Sequence, residues 1–154
     1  MLFFRKTSLG KIGIEEEEGF ITHLYFGTDR VTAGAGQKET AIVQQAFNQL
    51  ERYLKGELKE FSLPLRPAGT DFMKKVWCKL CEVPFGKTAT YKNIAISIGQ
   101  PGAARAVGQA NNKNPIPIFI PCHRIIGSNG SLVGYFSGLD IKKKLLKLEN
   151  CSNN

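Results

Sequence analysis

The segment from Asn114 to Arg124 constrains the fold of this chain more than any other stretch does. It reads Asn-Pro-Ile-Pro-Ile-Phe-Ile-Pro-Cys-His-Arg, with three prolines set among apolar residues. Proline fixes φ and has no backbone N–H, so a helix cannot continue through this segment. We predict an extended, rigid path through apolar surroundings, which ends at the pair Cys122-His123.

A connector rich in proline divides the chain. Residues 61–69 read Phe-Ser-Leu-Pro-Leu-Arg-Pro-Ala-Gly, and we place a domain boundary between residues 66 and 67. The 154 residues then form two small domains, 1–66 and 67–154. No apolar run approaches the roughly 20 residues of a membrane helix, and the first residues do not resemble a signal peptide. We therefore expect no membrane association and a cytoplasmic location, or a nuclear one in a eukaryote.

The first domain has the pattern of a small α+β unit. Runs typical of strands lie near Leu2–Arg5, Lys11–Ile14 and Phe20–Phe26, with an acidic turn over residues 15–19. Apolar residues at helical spacing then predict a helix over about Glu39–Lys55.

The second domain is predicted to be mainly helical. We expect helices over about Thr70–Val83, Tyr91–Ile98 and Ala103–Asn111, with Thr90 as the N-cap of the second. Two short helices joined by a glycine-containing turn resemble a helix-turn-helix, a pattern that is common by chance. A final helix begins near residues 137–140, where the spacing is that of a capping box, and continues to Glu149.

Charge is distributed unevenly between the two halves. Residues 1–70 carry nine Lys/Arg and nine Asp/Glu, whereas residues 71–154 carry twelve and four. The second half therefore holds the whole net charge of +8. This asymmetry is typical of a surface that meets a polyanion, although a solubilising surface explains the charge alone equally well.

Cys78 and Cys81 form a C-x-x-C pair in an amphipathic stretch. A zinc site would need two further ligands, and the histidines that could complete it, His23 and His123, lie far away in sequence. We therefore predict that the two thiols are buried in a helix and pack as small apolar side chains.

Cys122 and His123 are candidates for a nucleophile and its base, because only the thiolate attacks. At a pKa of about 8.5, roughly 3% of a thiol is ionised at neutral pH, so activation gains at most about 30-fold. Neighbouring side chains of an extended strand point to opposite faces, so a water or an unusual turn must connect the two groups. A buried structural cysteine beside a surface histidine is the simpler reading of such a pair alone.

Glu149 is a candidate third member of the site formed by Cys122 and His123. It ends a helix at the pole where the macrodipole disfavours a carboxylate, and such a residue can serve to orient a histidine. A solvated carboxylate paired with a lysine explains its position equally well.

Several motifs in the second half match one known family in order. They are Gly69-Thr70-Asp71-Phe72, Val76-Trp77, Val83-Pro84-Phe85-Gly86, Tyr91, Ala104-Arg105-Ala106-Val107-Gly108, Asn114-Pro115, Ile120-Pro121-Cys122-His123-Arg124-Ile125-Ile126, Gly134-Tyr135, Gly138-Leu139, and Lys142 through Leu145-Leu146 to Glu149. The chain resembles the O6-alkylguanine-DNA alkyltransferases (methylated-DNA–protein-cysteine methyltransferases), whose active-site signature is Pro-Cys-His-Arg. The match covers about residues 61–149, and residues 1–60 agree only in general form with the family's variable N-terminal domain. It implies an RNase H-like three-stranded sheet with a helix, followed by a helical domain with a helix-turn-helix.

The resemblance also implies a set of catalytic roles. Cys122 would accept the alkyl group from O6 of guanine and keep it, so that each molecule works once. His123 would hold a water that takes the thiol proton, and Glu149 would orient and charge-balance the imidazole. Tyr91 would donate a proton toward the leaving guanine, and Asn114 would tie the active-site segment to the helix-turn-helix.

Double-stranded DNA with a flipped O6-alkylguanine is the partner that the resemblance implies. The family docks the second helix of its helix-turn-helix in the minor groove, where Arg105 would fill the space of the flipped base. Ala104, Ala106 and Gly108 would let that helix approach the backbone closely. An ordinary phosphate contact is the simpler role for Arg105.

Four residues would form the base pocket, by the same resemblance. Pro117 would wall it, and Ile125, Tyr135 and Phe136 would line it or read the base through their backbone. The pair Phe136-Ser137 departs from the residues often found there, which leaves the range of alkyl groups open. The zinc site of some members cannot be assembled here. We expect no metal, no cofactor and a monomer.

Two other functions compete with alkyl transfer. Alkyltransferase-like proteins bind the lesion without an acceptor cysteine, and Cys122 argues against that class unless its thiol is misplaced. A cysteine hydrolase would use Cys122 and His123 with turnover, but it gives no reason for Tyr91, Arg105 or Asn114.

Overall fold

The structure, a computed structural model, describes residues 1–27, 38–128 and 138–149 of the 154-residue chain. Contacts divide the chain into two compact units, Met1–Ala68 and Gly69–Asn154. The boundary placed from the sequence lies two residues before this division. Within the described ranges, no helix combines the length and the apolar character that crossing a membrane requires.

Three antiparallel strands form the sheet of the first unit, in the order β1 (Leu2–Thr7), β2 (Gly10–Glu17) and β3 (Phe20–Phe26). The acidic turn is shorter than predicted, because β2 continues through Glu17. Glu18 and Gly19 alone make the turn, with φ values of +54° and +82°. The α+β class of this unit is confirmed.

Helix α1 (Ala41–Leu54) covers the sheet of the first unit. Thr40 caps it by accepting a hydrogen bond from the Val43 backbone N–H. The apolar face of α1 repeats at helical spacing and is buried: Val43, Ala46, Phe47, Leu50 and Tyr53. Beyond α1, the predicted connector is extended, and Ile21 of β3 exchanges backbone hydrogen bonds with residues 64 and 66 on either side of Leu65.

The second unit contains four helices in its described part. They are α2 (Asp71–Cys81), α3 (Tyr91–Ser97), α4 (Ala104–Asn112) and α5 (Leu139–Leu148). Thr90 caps α3 in a full capping box with Asn93, as the sequence predicts for the N-cap. The start of α5 differs from the predicted capping box, because its N-cap is Gly138, which has no side chain to make a capping hydrogen bond.

Trp77 anchors the core of the second unit. It is buried on α2, and its indole Nε1 donates a 2.9 Å hydrogen bond to the Ala110 carbonyl on α4. Helix α4 also packs against α3, which confirms the helix-turn-helix pair. A two-residue parallel sheet joins β4 (Ala89–Thr90) to β5 (Ile125–Ile126) and so ties the start of α3 to the segment after Cys122.

The C-x-x-C pair is exposed, and the prediction of two buried thiols is wrong. Both Cys78 and Cys81 are free and exposed on α2. The buried face of α2 is formed instead by Val76, Trp77 and Leu80. The indole and Leu80 take the core positions, so the two thiols are turned toward the surface.

Candidate active site

The proline-rich segment folds back on itself, so the predicted extended path is wrong. The Ile120 backbone N–H donates to the Ile116 carbonyl at 2.9 Å, and Ile118 between them has φ of +74°. Asn114 holds this loop closed from inside: its Oδ1 accepts from the Ile116 N–H and its Nδ2 donates to the Ile120 carbonyl, both at 2.9 Å. The prolines exclude a helix in this segment, and the buried amide side chain of Asn114 determines how the loop closes.

The residues Cys122–Arg124 form one turn of 3-10 helix rather than a strand. The expectation that neighbouring side chains alternate between faces therefore fails here. Cys122 is only 5% exposed, and His123 and Arg124 are buried with it. Asn111 on α4 donates a long hydrogen bond of 3.4 Å to the Cys122 carbonyl, so the turn also contacts the helix-turn-helix.

His123 and Glu149 contact each other, as the family resemblance implies for the candidate base and its orienting group. Nε2 of His123 lies 2.7 Å from Oε2 of Glu149, and both side chains are fully buried. Glu149 is the C-cap of α5. The alternative of a solvated carboxylate is excluded by this burial.

Arg124 is a second partner of Glu149, and the sequence analysis assigned it no role. Its Nε donates to Oε1 at 2.8 Å and its Nη2 donates to Oε2 at 3.0 Å, while Nη1 donates to the Val83 carbonyl at 2.7 Å. The Gly86 N–H also faces Oε1 at 3.5 Å. The sequence contains one sign of this role, namely a charged residue inside the apolar run after Cys122. A buried guanidinium requires an acidic partner.

The ionisation of His123 follows from this environment. Complete burial lowers its pKa, Glu149 opposes that change, and the positive charges of Arg124 and Lys142 lower the pKa further. The imidazole is therefore neutral at physiological pH. The Nδ1 atom of His123 is buried and has no hydrogen-bond partner in the described part of the chain. His123 directly follows Cys122 in the sequence.

Lys142 is a second charged residue that the sequence left without a role. Its ammonium is buried and donates to the Ile125 carbonyl at the end of the 3-10 turn. Burial lowers the pKa of Lys142 to about 8, and Cys122 opposes part of this change. The sequence contains one sign that Lys142 faces the interior, because the helical spacing sets it on one face with Leu145, Leu146 and Glu149.

Tyr91 is held near Cys122 by the small parallel sheet. Thr90 pairs with Ile126, and Tyr91 follows directly as the first residue of α3. Burial raises the pKa of the Tyr91 phenol, and the nearby Cys122 raises it further. The phenol therefore stays protonated at neutral pH and can donate a proton. Gly108 on α4 faces the ring, since a Cβ there would lie 3.7 Å from two ring carbons.

A groove of about 600 Å³ opens beside Tyr91 on the outer side of α4. Arg105 is exposed on α4 next to it, Ala106 is exposed as well, and Ala104 and Gly108 are half-buried. The residues that line the groove are Tyr91, Lys92, Pro101, Ala104, Arg105, Gly108, Gln109, Asn112 and Ser128. Small residues and cations thus share one accessible face, which suits a polyanion.

The structure brings the predicted catalytic residues together and leaves part of the predicted pocket undescribed. Cys122, His123 and Glu149 form one buried cluster, and Asn114 closes the loop before it. Pro117 and Ile125 are buried in the same segment. Tyr135 and Phe136, named from the sequence as pocket residues, lie outside the described residues. In the described ranges, no three His, Cys, Asp or Glu side chains are grouped so that they could hold a metal ion.

Fold and site together define a two-unit protein in which a helix-turn-helix is joined to a buried thiol with a histidine–carboxylate pair. Two family models match nearly the whole chain: the ribonuclease-like domain of 6-O-methylguanine DNA methyltransferase over residues 3–67, and its DNA-binding domain over residues 71–151. The chain belongs to the 6-O-methylguanine DNA methyltransferase family.

Individual relatives agree with the family models. A methylated-DNA–protein-cysteine methyltransferase of Methanosarcina barkeri is 53% identical over 94% of this chain and 93% of its own length. The constitutive protein of that name from Bacillus subtilis is 44% identical over 96% of this chain and 93% of its own. The crystal structure of Mycobacterium tuberculosis OGT in complex with DNA has a TM-score of 0.85 at 38% identity, covering 99% of this chain and 96% of that one.

Proposed function

We propose that this protein repairs DNA directly, by moving an alkyl group from O6 of guanine onto the sulfur of its own Cys122. The observation that carries the proposal is a nearly buried thiol next to a buried histidine–carboxylate pair, in a unit whose helix-turn-helix offers a basic face. Relatives similar over nearly their whole length are named methylated-DNA–protein-cysteine methyltransferases, and M. tuberculosis OGT has been crystallised with DNA.

The transfer is an in-line displacement at the alkyl carbon. The Cys122 sulfur forms a bond to that carbon while the bond from carbon to guanine O6 breaks, and the electron pair leaves with guanine. The thiol proton passes through a water to Nδ1 of His123, whose other nitrogen is held by Glu149. The product is a thioether, and because a thioether is chemically stable, each molecule acts once.

Tyr91 supplies the second proton transfer in this proposal. Its phenol keeps its proton at neutral pH, lies close enough to Cys122 to interact with it electrostatically, and lines the groove on the α4 side. Donation of that proton toward the guanine ring makes guanine a better leaving group. General acid help of this kind typically contributes 10²–10⁴-fold.

Double-stranded DNA binds, in this proposal, through the minor groove on the exposed face of α4. Arg105 enters the duplex and occupies the space of the flipped lesion, while Ala104, Ala106 and Gly108 allow close approach to the backbone. Flipping costs a few kcal/mol, and less for a damaged base that pairs poorly. The flipped guanine then meets Pro117, Ile125 and the segment that contains Tyr135 and Phe136.

The remaining assignments belong to the same proposal. Asn114 acts as the hinge between the active-site loop and the helix-turn-helix. Its side chain makes two hydrogen bonds inside the loop, and its backbone N–H donates to the Asn111 carbonyl of α4 at 3.4 Å. We propose a monomer that needs no metal or cofactor and works where the DNA is, in the cytoplasm or in a eukaryotic nucleus. Methyl is the first alkyl group to test, and O4-alkylthymine is the second substrate to test.

The intact mass of the protein, measured after mixing with duplex DNA that contains one O6-methylguanine, tests this function. We expect the mass of one methyl group on each molecule, located at Cys122 by peptide mapping and absent from Cys122→Ala. Cys78→Ala is the matched control, because it removes an exposed cysteine outside the site and should leave the transfer intact. Binding of the lesion without any mass change would instead place the protein among the non-catalytic lesion binders.

A further inference from the structure

Arg124 lies at the centre of the buried cluster and has no part in the transfer step described above. Its guanidinium holds both oxygens of Glu149 and, with its third nitrogen, the Val83 carbonyl. We propose, resting on the proposed function, that Arg124 is a positioning residue which keeps Glu149 a carboxylate and His123 a neutral base with its proton on Nε2.

The tautomer follows from the donors around Glu149. Guanidinium nitrogens can only donate, so both oxygens of Glu149 accept hydrogen bonds from Arg124. A carboxyl group with both oxygens accepting from a cation is ionised and cannot donate to the imidazole. His123 must therefore donate from Nε2 across the 2.7 Å contact. In the neutral ring, Nδ1 then carries the lone pair, on the nitrogen that can accept the proton of Cys122.

Charge balance explains why the guanidinium matters as well as its geometry. A histidine paired with a lone buried carboxylate gains from becoming an imidazolium, because the two charges then neutralise each other. Here Arg124 already neutralises Glu149, so a second positive charge on His123 would lack compensation. A histidine that is protonated before the reaction cannot take the thiol proton, and Arg124 prevents this state.

The other titratable and charged groups around His123 lie on α5, on its own 3-10 turn and on the helices α2 and α3. From α5, Glu149 favours the imidazolium and Lys142 opposes it. From its own 3-10 turn, Arg124 opposes the imidazolium, and the titratable thiol of Cys122 is the next residue. The groups on the packed helices act through intermediaries: Cys81 on α2 interacts with Arg124, and Tyr91 on α3 interacts with Cys122.

The experiment is a pH titration of the histidine rings by ¹⁵N-edited NMR, which reports the tautomer and the protonation of each ring directly. The chain has two histidines, and half-exposed His23 in the first unit is an internal reference. In the wild-type protein we expect His123 to be neutral at neutral pH, with its proton on Nε2. In Arg124→Gln the protonation midpoint of His123 should rise by about one pH unit or more, which is tenfold in the protonation equilibrium.

The rate of methyl transfer should follow the same shift. Arg124→Gln should lose about tenfold at a pH below the new midpoint and recover as the pH rises. Arg124→Lys keeps the charge but loses the two-pronged contact, so its shift should lie between wild type and Arg124→Gln. The matched control is Arg5→Gln, which breaks a similar two-pronged pair with Glu39 in the first unit and should move neither His123 nor the pH profile.

Each result decides the proposal. A wild-type His123 that is an imidazolium at neutral pH, or that carries its proton on Nδ1, overturns it without any variant. A folded Arg124→Gln with an unmoved midpoint leaves Arg124 a merely structural role, and if that variant does not fold, an unmoved midpoint in Arg124→Lys has the same meaning. The ring titration needs no DNA, so a wild-type protein that fails to transfer methyl would overturn the proposed function separately.

Discussion

Replacing Asn114 by alanine tests whether one buried amide holds the active-site loop in shape. The wild-type side chain makes two hydrogen bonds of 2.9 Å, to the Ile116 N–H and to the Ile120 carbonyl, and is itself buried. Alanine leaves both backbone groups without that partner in a buried place, and each such loss costs about 1–3 kcal/mol. We expect the free energy of unfolding to fall by about 3 kcal/mol and methyl transfer to slow, because the loop leads directly to Cys122.

Urea unfolding followed by fluorescence, together with single-turnover methyl transfer, measures both effects. Asn93→Ala is the matched control: its side chain also bonds a backbone N–H, that of Thr90, but at an exposed helix start, where the loss is about 1 kcal/mol or less. Asn114→Asp separates the two bonds, since it keeps an acceptor for Ile116 and sets a second acceptor against Ile120. Its deficit should shrink at low pH, where the protonated carboxyl group can donate.

The reasoning about the loop has a clear point of failure. If Asn114→Ala is no less stable than Asn93→Ala and transfers methyl at the wild-type rate, the two buried bonds do not hold the loop. A stability loss with an unchanged transfer rate would keep the packing argument and remove the hinge role.

Three further predictions concern neighbouring residues. Tyr91→Phe should bind lesion-containing DNA normally but transfer methyl about 10²-fold more slowly, as measured in single turnovers; an unchanged rate would remove the phenol from the proton transfer. Burial lowers the pKa of Lys142 from 10.5, the ordinary value for a lysine, to about 8 in the folded protein. The unfolded state therefore binds more protons between these pH values, so stability should rise with pH there, and Lys142→Met should flatten that rise in urea midpoints. Thr70→Ala removes the N-cap of α2 and should lower the free energy of unfolding, measured by thermal unfolding, by about 1 kcal/mol. Thr88→Ala is the control and should cost less, because Thr88 is not the N-cap of α2 or α3.

The sequence predicted the elements of the fold well wherever local rules apply. Strand β3 has the predicted bounds, α3 begins after the predicted cap Thr90, and α1 and α2 agree within about two residues at each end. These features depend on apolar periodicity and on capping side chains, which neighbouring residues determine. The pairing of Cys122, His123 and Glu149 also came from the sequence, through the resemblance of its motifs to a family.

Tertiary contacts determined the features that could not be predicted from the sequence alone. The prolines excluded a helix between residues 115 and 121, but the closed loop depends on Asn114 reaching across it. Exposure of Cys78 and Cys81 depends on which face of α2 Trp77 turns toward α4. The ionisation of His123 depends first on its complete burial, and then on Glu149 and on the cations Arg124 and Lys142 that the fold brings to it. Spacing along the chain fixes which residues share a helix face or begin a turn, whereas the pKa and hydrogen bonds of a buried group depend on the residues that the fold brings to it.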